Sequence, residues 1–169
     1  MPDTVELRPM RPADHGLVRT WLRDPGVKRW WGSIAAAEAA VAMALDSEAA
    51  ICRIIARSGE AIGYAQAMDA SGLGAPLPSS IAAGTYDCDV FIAVEQHRGK
   101  GFGQRALALI SDEVFATTLA VACSILVSIR NETAARAYEK AGFGWREIWN
   151  DPVDGPSWVM LRERPAQKR

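Results

Sequence analysis

The chain has 169 residues, of which 49% are hydrophobic and 23% charged, and its formal net charge is −1. This size and composition fit one globular domain, which we place at residues 1–164 with a polar tail at 165–169. The near-neutral charge excludes a broad attraction to nucleic acid or to an anionic membrane, and no apolar run approaches the ~18 residues of a membrane span.

The first half of the chain alternates between strand and helix patterns. Pro12 opens the first helix, the run Asp24-Pro25-Gly26 is predicted to end it, and Ser33 caps an alanine-rich helix. A turn at Ser58-Gly59-Glu60 joins two strands into a hairpin. The predicted elements are a strand over 5–10, helices over 13–23 and 33–45, and strands over 50–56 and 61–68.

The second half begins with a polar loop over 69–84, which is longer than most connections. Apolar, β-branched residues predict buried strands, and Asn131 and Gly142 mark the two ends of the last helix. The predicted elements are strands over 85–94 and 122–129, helices over 103–117 and 131–141, and strands over 143–149 and 158–162. The order β-α-α-β-β-β-α-β-α-β-β indicates an α/β protein with a mixed sheet flanked by helices.

A glycine-rich loop, Arg98-Gly99-Lys100-Gly101-Phe102-Gly103, follows the central strand and precedes a helix. Its backbone N–H groups, together with the positive end of that helix, suit a pyrophosphate, and Arg98 and Lys100 can add charge. The spacing matches neither a Walker loop nor a dinucleotide fingerprint. A plain strand-to-helix turn is the alternative reading of the loop.

Cysteine and histidine give no sign of a metal site or a disulfide framework. Three cysteines (Cys52, Cys88 and Cys123) are an odd number, and Cys52 and Cys123 lie in apolar stretches that predict core positions. His15 and His97 are too far apart to suggest metal-ligand spacing. The acidic start lacks the features of a signal peptide, so we expect a cytoplasmic protein without a metal.

Two blocks of sequence resemble the GNAT superfamily of acetyltransferases. Arg98-x-x-Gly101-x-Gly103 is similar to its acetyl-CoA loop, Arg/Gln-x-x-Gly-x-Gly/Ala. The run from Asn131 to Phe143 is similar to its signature Asn-x-x-Ala-x-x-x-Tyr-x-Lys-x-Gly-Phe. Further stretches resemble the aminoglycoside 6′-N-acetyltransferases within that superfamily. They are Trp21-Leu22, 27–32, 62–66, Asp89 and Asp154-Gly155-Pro156 followed by Met160.

The resemblance implies that acetyl-CoA is the co-substrate, with pantetheine along the central strand and pyrophosphate on the glycine loop. Asn131 matches a residue that approaches the pantetheine arm, although a plain helix N-cap explains it equally well. The acetyl-CoA-binding residues so implied are Phe91, Ile92, Ala93, Val94, Arg98, Gly99, Lys100, Gly101, Phe102, Gly103, Asn131 and Ala134.

The resemblance also implies two catalytic residues. Tyr138 would protonate the coenzyme A thiolate, because a phenol with pKa ~10 is protonated at neutral pH. Asp89 would position the acceptor amine, and alternation along the strand puts Asp87, Asp89 and Phe91 on one face and Val90, Ile92 and Val94 on the other. With an ordinary pKa of ~3.9, orientation or relay through water is favoured over direct proton abstraction. The alternatives are a packing tyrosine and a salt-bridged aspartate.

The acceptor site is implied more weakly. Trp30 and Trp31 form a candidate aromatic wall, with core packing as the alternative. Tyr64 and Gln66 are expected to line the cleft, while Asp154 matches a sugar-contacting position but also fits an ordinary Asp-Gly turn. The expected substrate-binding residues are Trp30, Trp31, Tyr64, Gln66, Asp87 and Asp154.

Two departures from the aminoglycoside enzymes bear on the acceptor. The loop over 69–84 contains Asp69 as its only carboxylate, and Arg130 stands where the relatives carry an aspartate. The sequence is therefore interpreted as an acetyl-CoA-dependent N-acetyltransferase, a monomer or homodimer, acting on a small-molecule amine, best on the 6′-amine of an aminoglycoside. The alternatives are another small amine, a siderophore hydroxylamine or a protein N-terminus, and a non-catalytic acyl-CoA-binding domain.

Overall fold

The structure is a computed structural model that describes residues 4–74, 76–152 and 155–167. Within these ranges, seven strands form one mixed sheet and five α-helices pack on it. The elements in chain order are β1 (Val5–Pro9), α1 (Pro12–Leu22), α2 (Pro25–Trp31), α3 (Ile34–Asp46), β2 (Ile51–Arg57), β3 (Glu60–Asp69), β4 (Thr85–Ile92), α4 (Phe102–Thr117), β5 (Ala122–Ser128), α5 (Glu132–Lys140), β6 (Gly144–Asp151) and β7 (Gly155–Glu163).

The prediction was wrong about the segment after α1, which contains a helix that the predicted order lacks. The Asp24 side chain accepts a hydrogen bond from the Gly26 N–H at 2.9 Å, and Pro25 occupies the first helical position. Asp and Pro at these positions begin a helix as readily as Pro-Gly ends one. The run Asp24-Pro25-Gly26 therefore ends α1 and begins α2 at once.

The sheet order is β1-β2-β3-β4-β5-β7-β6, and every neighbouring pair is antiparallel except β4 and β5. The parallel pairing is short: it begins at Thr85 with Ala122 and ends at Asp87 with Ser124. Beyond Asp87, β4 remains paired with β3 but has no β5 partner. The sheet is therefore open between β4 and β5 over the rest of β4.

Each face of the sheet has its own core. On the α4–α5 face, Cys88 and Val90 pack with Leu107 and Ile110 of α4. On the α1–α3 face, Phe91 and its neighbours pack against the first three helices. The loop over 70–84 covers the β5–β7–β6 half of that second face, with Ile81 packed in the same cluster as Val159. Alternation along β4 is as predicted, since odd and even positions belong to different cores.

The described residues carry no group of three or more His, Cys, Asp or Glu side chains placed to hold a metal ion. Cys88 and Cys123 are buried, Cys52 is partly buried, and all three are free thiols. Among the described helices, none combines the length and apolar character that a membrane crossing requires.

Candidate active site

A strip of polar side chains crosses the α1–α3 face where β4 and β5 separate. Gln66 on β3 lies directly opposite Asp89 on β4, and Asp87 on β4 lies opposite Ser124 on β5. Apolar clusters flank this strip on both sides, one under the helices and one under the loop over 70–84. Buried polar side chains are unfavourable unless they have hydrogen-bond partners, so this polar strip is the part of the sheet that we take as the candidate site.

Asp89 is partly buried at the start of the opening. Burial raises the pKa of its carboxyl to about 6, and a hydrogen bond from the Gln66 side chain opposes that rise. A carboxylate with such a pKa is ionised at neutral pH yet is a stronger base than an ordinary aspartate. Asp89 can therefore accept a proton from a nearby amine as well as orient it.

Asp87 is not placed to meet a substrate. It is 4% exposed, and the Ser124 hydroxyl donates a hydrogen bond to its carboxyl at 2.7 Å. Burial and the neighbouring charge of Asp89 raise its pKa well above the ordinary value. Asp87 thus fastens β4 to β5 at the last paired position. Ser124 was not among the predicted site residues, although a serine within the apolar run 122–129 was the available signal.

Tyr64 and Gln66 also differ from expectation. They are 0% and 1% exposed, so neither presents a surface to a ligand. The Tyr64 hydroxyl donates a hydrogen bond to Gln66 Oε1 at 2.8 Å, and Gln66 in turn bonds to Asp89. The two residues stand behind Asp89 instead of lining the cleft. Strand alternation predicts which face of the sheet the two side chains share, but it does not predict which elements pack over that face.

Tyr138 lies on α5 and packs against the core of the α4–α5 face, opposite to the face that carries Asp89. Burial and the negative charge of Asp89 both raise the pKa of its phenol. The phenol is therefore protonated at neutral pH. Asp89 and Tyr138 thus lie on opposite faces of the sheet, near enough for the charge of the carboxylate to act on the phenol.

The glycine loop leads from the end of β4 into α4. Gly99 and Gly101 have φ angles of 72° and 83°, in the region that favours glycine, and no heavy atom lies within 4 Å of a Cβ built on either. Helix α4 starts at Phe102, so its first N–H groups lack partners within the helix. Lys100 is exposed beside them. This space and these donors fit an anionic group.

Arg98 braces the loop through its own contacts. Its guanidinium donates to the carbonyls of Ile92 and Ala93, each at 2.8 Å, and to the Asp24 carboxyl at 3.1 Å. It also lies against Gly26, where an added Cβ would fall 2.1 Å from Nη1. Neither Asp24 nor Gly26 could be selected from the sequence as a support of the loop, because nothing local to them indicates a partner there.

The backbone at the end of β4 is largely occupied. The N–H groups of Ala93 and Val94 both donate to the Ile62 carbonyl, and the Val94 carbonyl accepts from His97. Backbone N–H contacts to a ligand in the opening are therefore expected earlier on β4. Asn131 caps α5 by accepting from the Ala134 N–H at 3.3 Å, which is the simpler of its two expected roles.

The two adjacent tryptophans behave differently. Trp31 packs edge-on against Phe91, with ring centroids 5.0 Å apart, and belongs to the core of the α1–α3 face. Trp30 is 36% exposed, and the Arg29 guanidinium lies 4.6 Å from its ring centroid. Only Trp30 offers surface of the kind expected for an aromatic wall. The predicted Asp154 lies outside the described residues.

Comparison with known proteins gives one consistent result. The family described as "Acetyltransferase (GNAT) domain" matches residues 11–150. Curated relatives include "Aminoglycoside N(6')-acetyltransferase type 1" of Klebsiella pneumoniae and of Serratia marcescens. Each is 30% identical to this chain over 175 residues, which cover 99% of this chain and 87% of the relative.

Solved structures agree with the sequence comparisons. The fold superposes on AAC(6')-Ib with kanamycin and coenzyme A at a TM-score of 0.81 and 28% identity, covering 95% of each chain. It superposes on AAC(6')-Ib with paromomycin and acetyl-CoA at 0.82 and 29% identity, covering 96% of this chain and 94% of that one. A spermidine N-acetyltransferase chimera, at 15% identity and a TM-score of 0.70, shares the fold alone.

Proposed function

Because this chain belongs to the GNAT family of acetyltransferases, we propose that it transfers the acetyl group of acetyl-CoA to the 6′-amine of an aminoglycoside. The observation that carries the proposal is that Asp89 and Tyr138 lie on opposite faces of the sheet, near enough for the charge of Asp89 to raise the pKa of the Tyr138 phenol. Support for the acceptor comes from the relatives, whose names and complexes specify aminoglycosides.

The donor side of the structure fits acetyl-CoA. The glycine loop combines open space at Gly99 and Gly101 with the unpaired N–H groups that begin α4 and with the cation of Lys100. A pyrophosphate is the part of acetyl-CoA that such a cradle suits. The unpaired edge of β4 beyond Asp87 supplies main-chain groups for the pantetheine arm. Arg98 holds the loop in place rather than adding a phosphate contact.

On the acceptor side, Asp89 receives a proton from the substrate ammonium, and its pKa of about 6 makes this transfer easier than for an ordinary aspartate. The neutral amine then attacks the thioester carbonyl, and the carbon–sulfur bond breaks. Tyr138 gives its phenolic proton to the departing thiolate. The nitrogen gives a second proton to solvent as the amide forms. Two protons thus leave the nitrogen, one to Asp89 and one to solvent, and the thiolate gains one from Tyr138. Exchange with solvent restores Asp89 and Tyr138, with a net release of one proton. Transfer is direct, in a ternary complex.

Asp89→Asn and Tyr138→Phe test these roles by assays of thiol release. We expect each variant to lower kcat by about 10²- to 10⁴-fold, which is the usual contribution of a positioned acid or base. Acetyl-CoA affinity, measured by calorimetry, should change little, because neither side chain belongs to the pyrophosphate cradle. Wild-type rates in both variants would remove the two assigned roles.

The acceptor is tested separately with the wild-type protein. Kanamycin, which bears a 6′-amine, should support thiol release, and a matched aminoglycoside with a 6′-hydroxyl should not. Mass spectrometry of the product should show one added acetyl group. Equal turnover of the two sugars would contradict the 6′ assignment while leaving the acetyltransferase assignment intact.

A second acceptor class is favoured by a specific observation. Asp69, the only carboxylate in the loop over 69–84, accepts a hydrogen bond from the Ser71 N–H at 2.9 Å, and Asp87 is buried. Fewer carboxylates are thus available for a polycationic sugar. A small amine with one or two charges is the second candidate. A kcat/KM at least tenfold higher for such an amine than for kanamycin would establish it.

A further inference from the structure

Tyr64 and Gln66 are two buried polar side chains that the reaction scheme leaves without a role. Tyr64 is 0% exposed and Gln66 is 1% exposed, and both lie on β3 behind Asp89. A phenylalanine and a leucine would fill the same space without a desolvated hydroxyl or amide. Burying such groups is unfavourable unless they are hydrogen-bonded, so their presence calls for a specific explanation.

The Tyr64 side chain hydrogen-bonds both to Gln66 on its own strand and to Cys52 on β2. The Tyr64 hydroxyl donates to Gln66 Oε1 at 2.8 Å, which leaves the Gln66 amide N–H groups to point elsewhere. Gln66 lies directly opposite Asp89 on the neighbouring strand, and its side chain hydrogen-bonds to the Asp89 carboxylate. The hydroxyl thus fixes which end of the amide faces Asp89.

Aromatic packing holds the Tyr64 ring in place. The Tyr64 ring lies 5.8 Å from Phe91 and 6.4 Å from Trp31, measured between centroids. All three rings belong to the core under α1–α3. A ring held on two sides fixes the position of its hydroxyl oxygen, so the core sets the point at which Tyr64 meets the Gln66 amide.

We propose that Tyr64 and Gln66 form a positioning relay that holds the Asp89 carboxylate toward the acceptor amine. This inference rests on the proposed function of Asp89. Neither residue touches the reacting atoms. The relay supplies the fixed donor that a partly buried carboxylate needs, and it stops Asp89 from turning back toward the core.

The surroundings of Asp89 explain why a neutral donor matters there. Asp87 and Cys88 on β4, Tyr64 on β3 and Tyr138 on α5 all experience the negative charge of Asp89. None of these four groups is a cation. Gln66 is the group that stabilises the ionised carboxylate, since its hydrogen bond lowers the pKa of Asp89.

The direct test is a carbon-13 NMR titration of the Asp89 carboxyl, assigned with Asp89→Asn. In Gln66→Leu the pKa of Asp89 should rise by about one unit, which is the effect of losing one hydrogen bond to a charged group. Tyr64→Phe keeps the ring and the core and should produce a smaller rise. An unchanged pKa in both variants would overturn the relay.

Ile54→Val is the matched control. Ile54 is 0% exposed on β2 opposite Tyr64 and belongs to the same core, but it carries no polar group. The variant disturbs packing near the relay without removing a hydrogen bond. We therefore expect the pKa of Asp89 to stay at its wild-type value, and an equal rise in this control would assign the effect to packing.

Kinetics with kanamycin provide a second readout. In Gln66→Leu, kcat/KM at pH 6 should fall about fivefold and should approach the wild-type value above pH 8, because the acid limb moves with the pKa of Asp89. A loss that is equal at every pH would indicate a merely structural role. If the wild-type protein does not acetylate kanamycin, the proposed acceptor fails, and the NMR titration still decides the relay.

Discussion

Asp89 combines a useful acidity with an unfavourable location. Burial raises the pKa of its carboxyl from an ordinary 3.8 to about 6. The native state therefore holds the Asp89 proton more tightly than the unfolded chain does. Between these two values the native state binds more protons than the unfolded state, and the free energy of unfolding falls as pH rises. The carboxylate that we propose as the base is therefore expected to reduce stability at neutral pH.

Asp89→Asn should stabilise the protein at pH 8, where the wild-type side chain is ionised. A pKa shift of this size corresponds to about 2–3 kcal/mol, and the gain should vanish near pH 4. Urea unfolding at the two pH values measures it. Glu48→Gln, an exposed charge removal, should stay within about 0.5 kcal/mol at both. A gain that is equal at pH 4 and pH 8 would contradict the assignment.

At the scale of elements, Arg98 connects two segments that are distant in sequence. It links the end of β4 and the glycine loop to the N-cap of α2, where Asp24 also accepts from Gly26. Three carbonyl or carboxylate oxygens share one guanidinium, which fixes the loop on one side. The first turn of α2 is thus part of the support for the donor cradle.

Gly26→Ala tests this support. The new Cβ would fall 2.1 Å from Arg98 Nη1, so the guanidinium must shift, and we expect the shift to weaken its hydrogen bonds to the loop. Loss of one charge-assisted hydrogen bond corresponds to about a tenfold weaker acetyl-CoA affinity, measured by calorimetry. Gly16→Ala on α1, where no atom lies within 4 Å, should leave that affinity unchanged. An unaltered affinity in Gly26→Ala would exclude this role.

The same contacts show how far sequence reasoning reaches. The glycine loop could be predicted because three alternate glycines between a strand and a helix favour a tight loop over continued strand or helix. The partner of Arg98 could not, since Asp24 lies 74 residues away. Helix α2 was missed because Pro-Gly indicates both an end and a beginning. The burial of Tyr64 depends on Trp31 and Phe91 packing over it, which no local pattern specifies.

For the whole molecule, α4 is joined to the sheet by ion pairs as well as by core packing. Arg53 on β2 pairs with Glu113, and Arg162 on β7 donates to Asp112 at 2.7 Å. These contacts approach α4 from two different strands, and its buried side chains fill the core of one face. Helix α4, whose first turn follows the glycine loop, is therefore held on the sheet before any ligand arrives, which lowers the ordering cost of binding.

Acetyl-CoA should therefore stabilise the entire fold by mass action. At a concentration 100 times Kd, the gain is about 2.7 kcal/mol, which raises Tm by about 5–10 °C for a domain of this size. Differential scanning fluorimetry measures the shift. Gly101→Val, which forces a branched residue to adopt a φ of 83°, should show a much smaller shift at the same concentration. Identical shifts in the two proteins would contradict binding at this loop.

The break between β4 and β5 has an evolutionary consequence. Asp89 and the α1–α3 layer face one side of the sheet, while Tyr138, α4 and α5 face the other, and only the gap connects them. Mutations that reshape the first three helices can alter which nitrogen compound is accepted, while the machinery for the thioester stays untouched. A lineage built on this plan can diversify its recipients independently, one layer at a time.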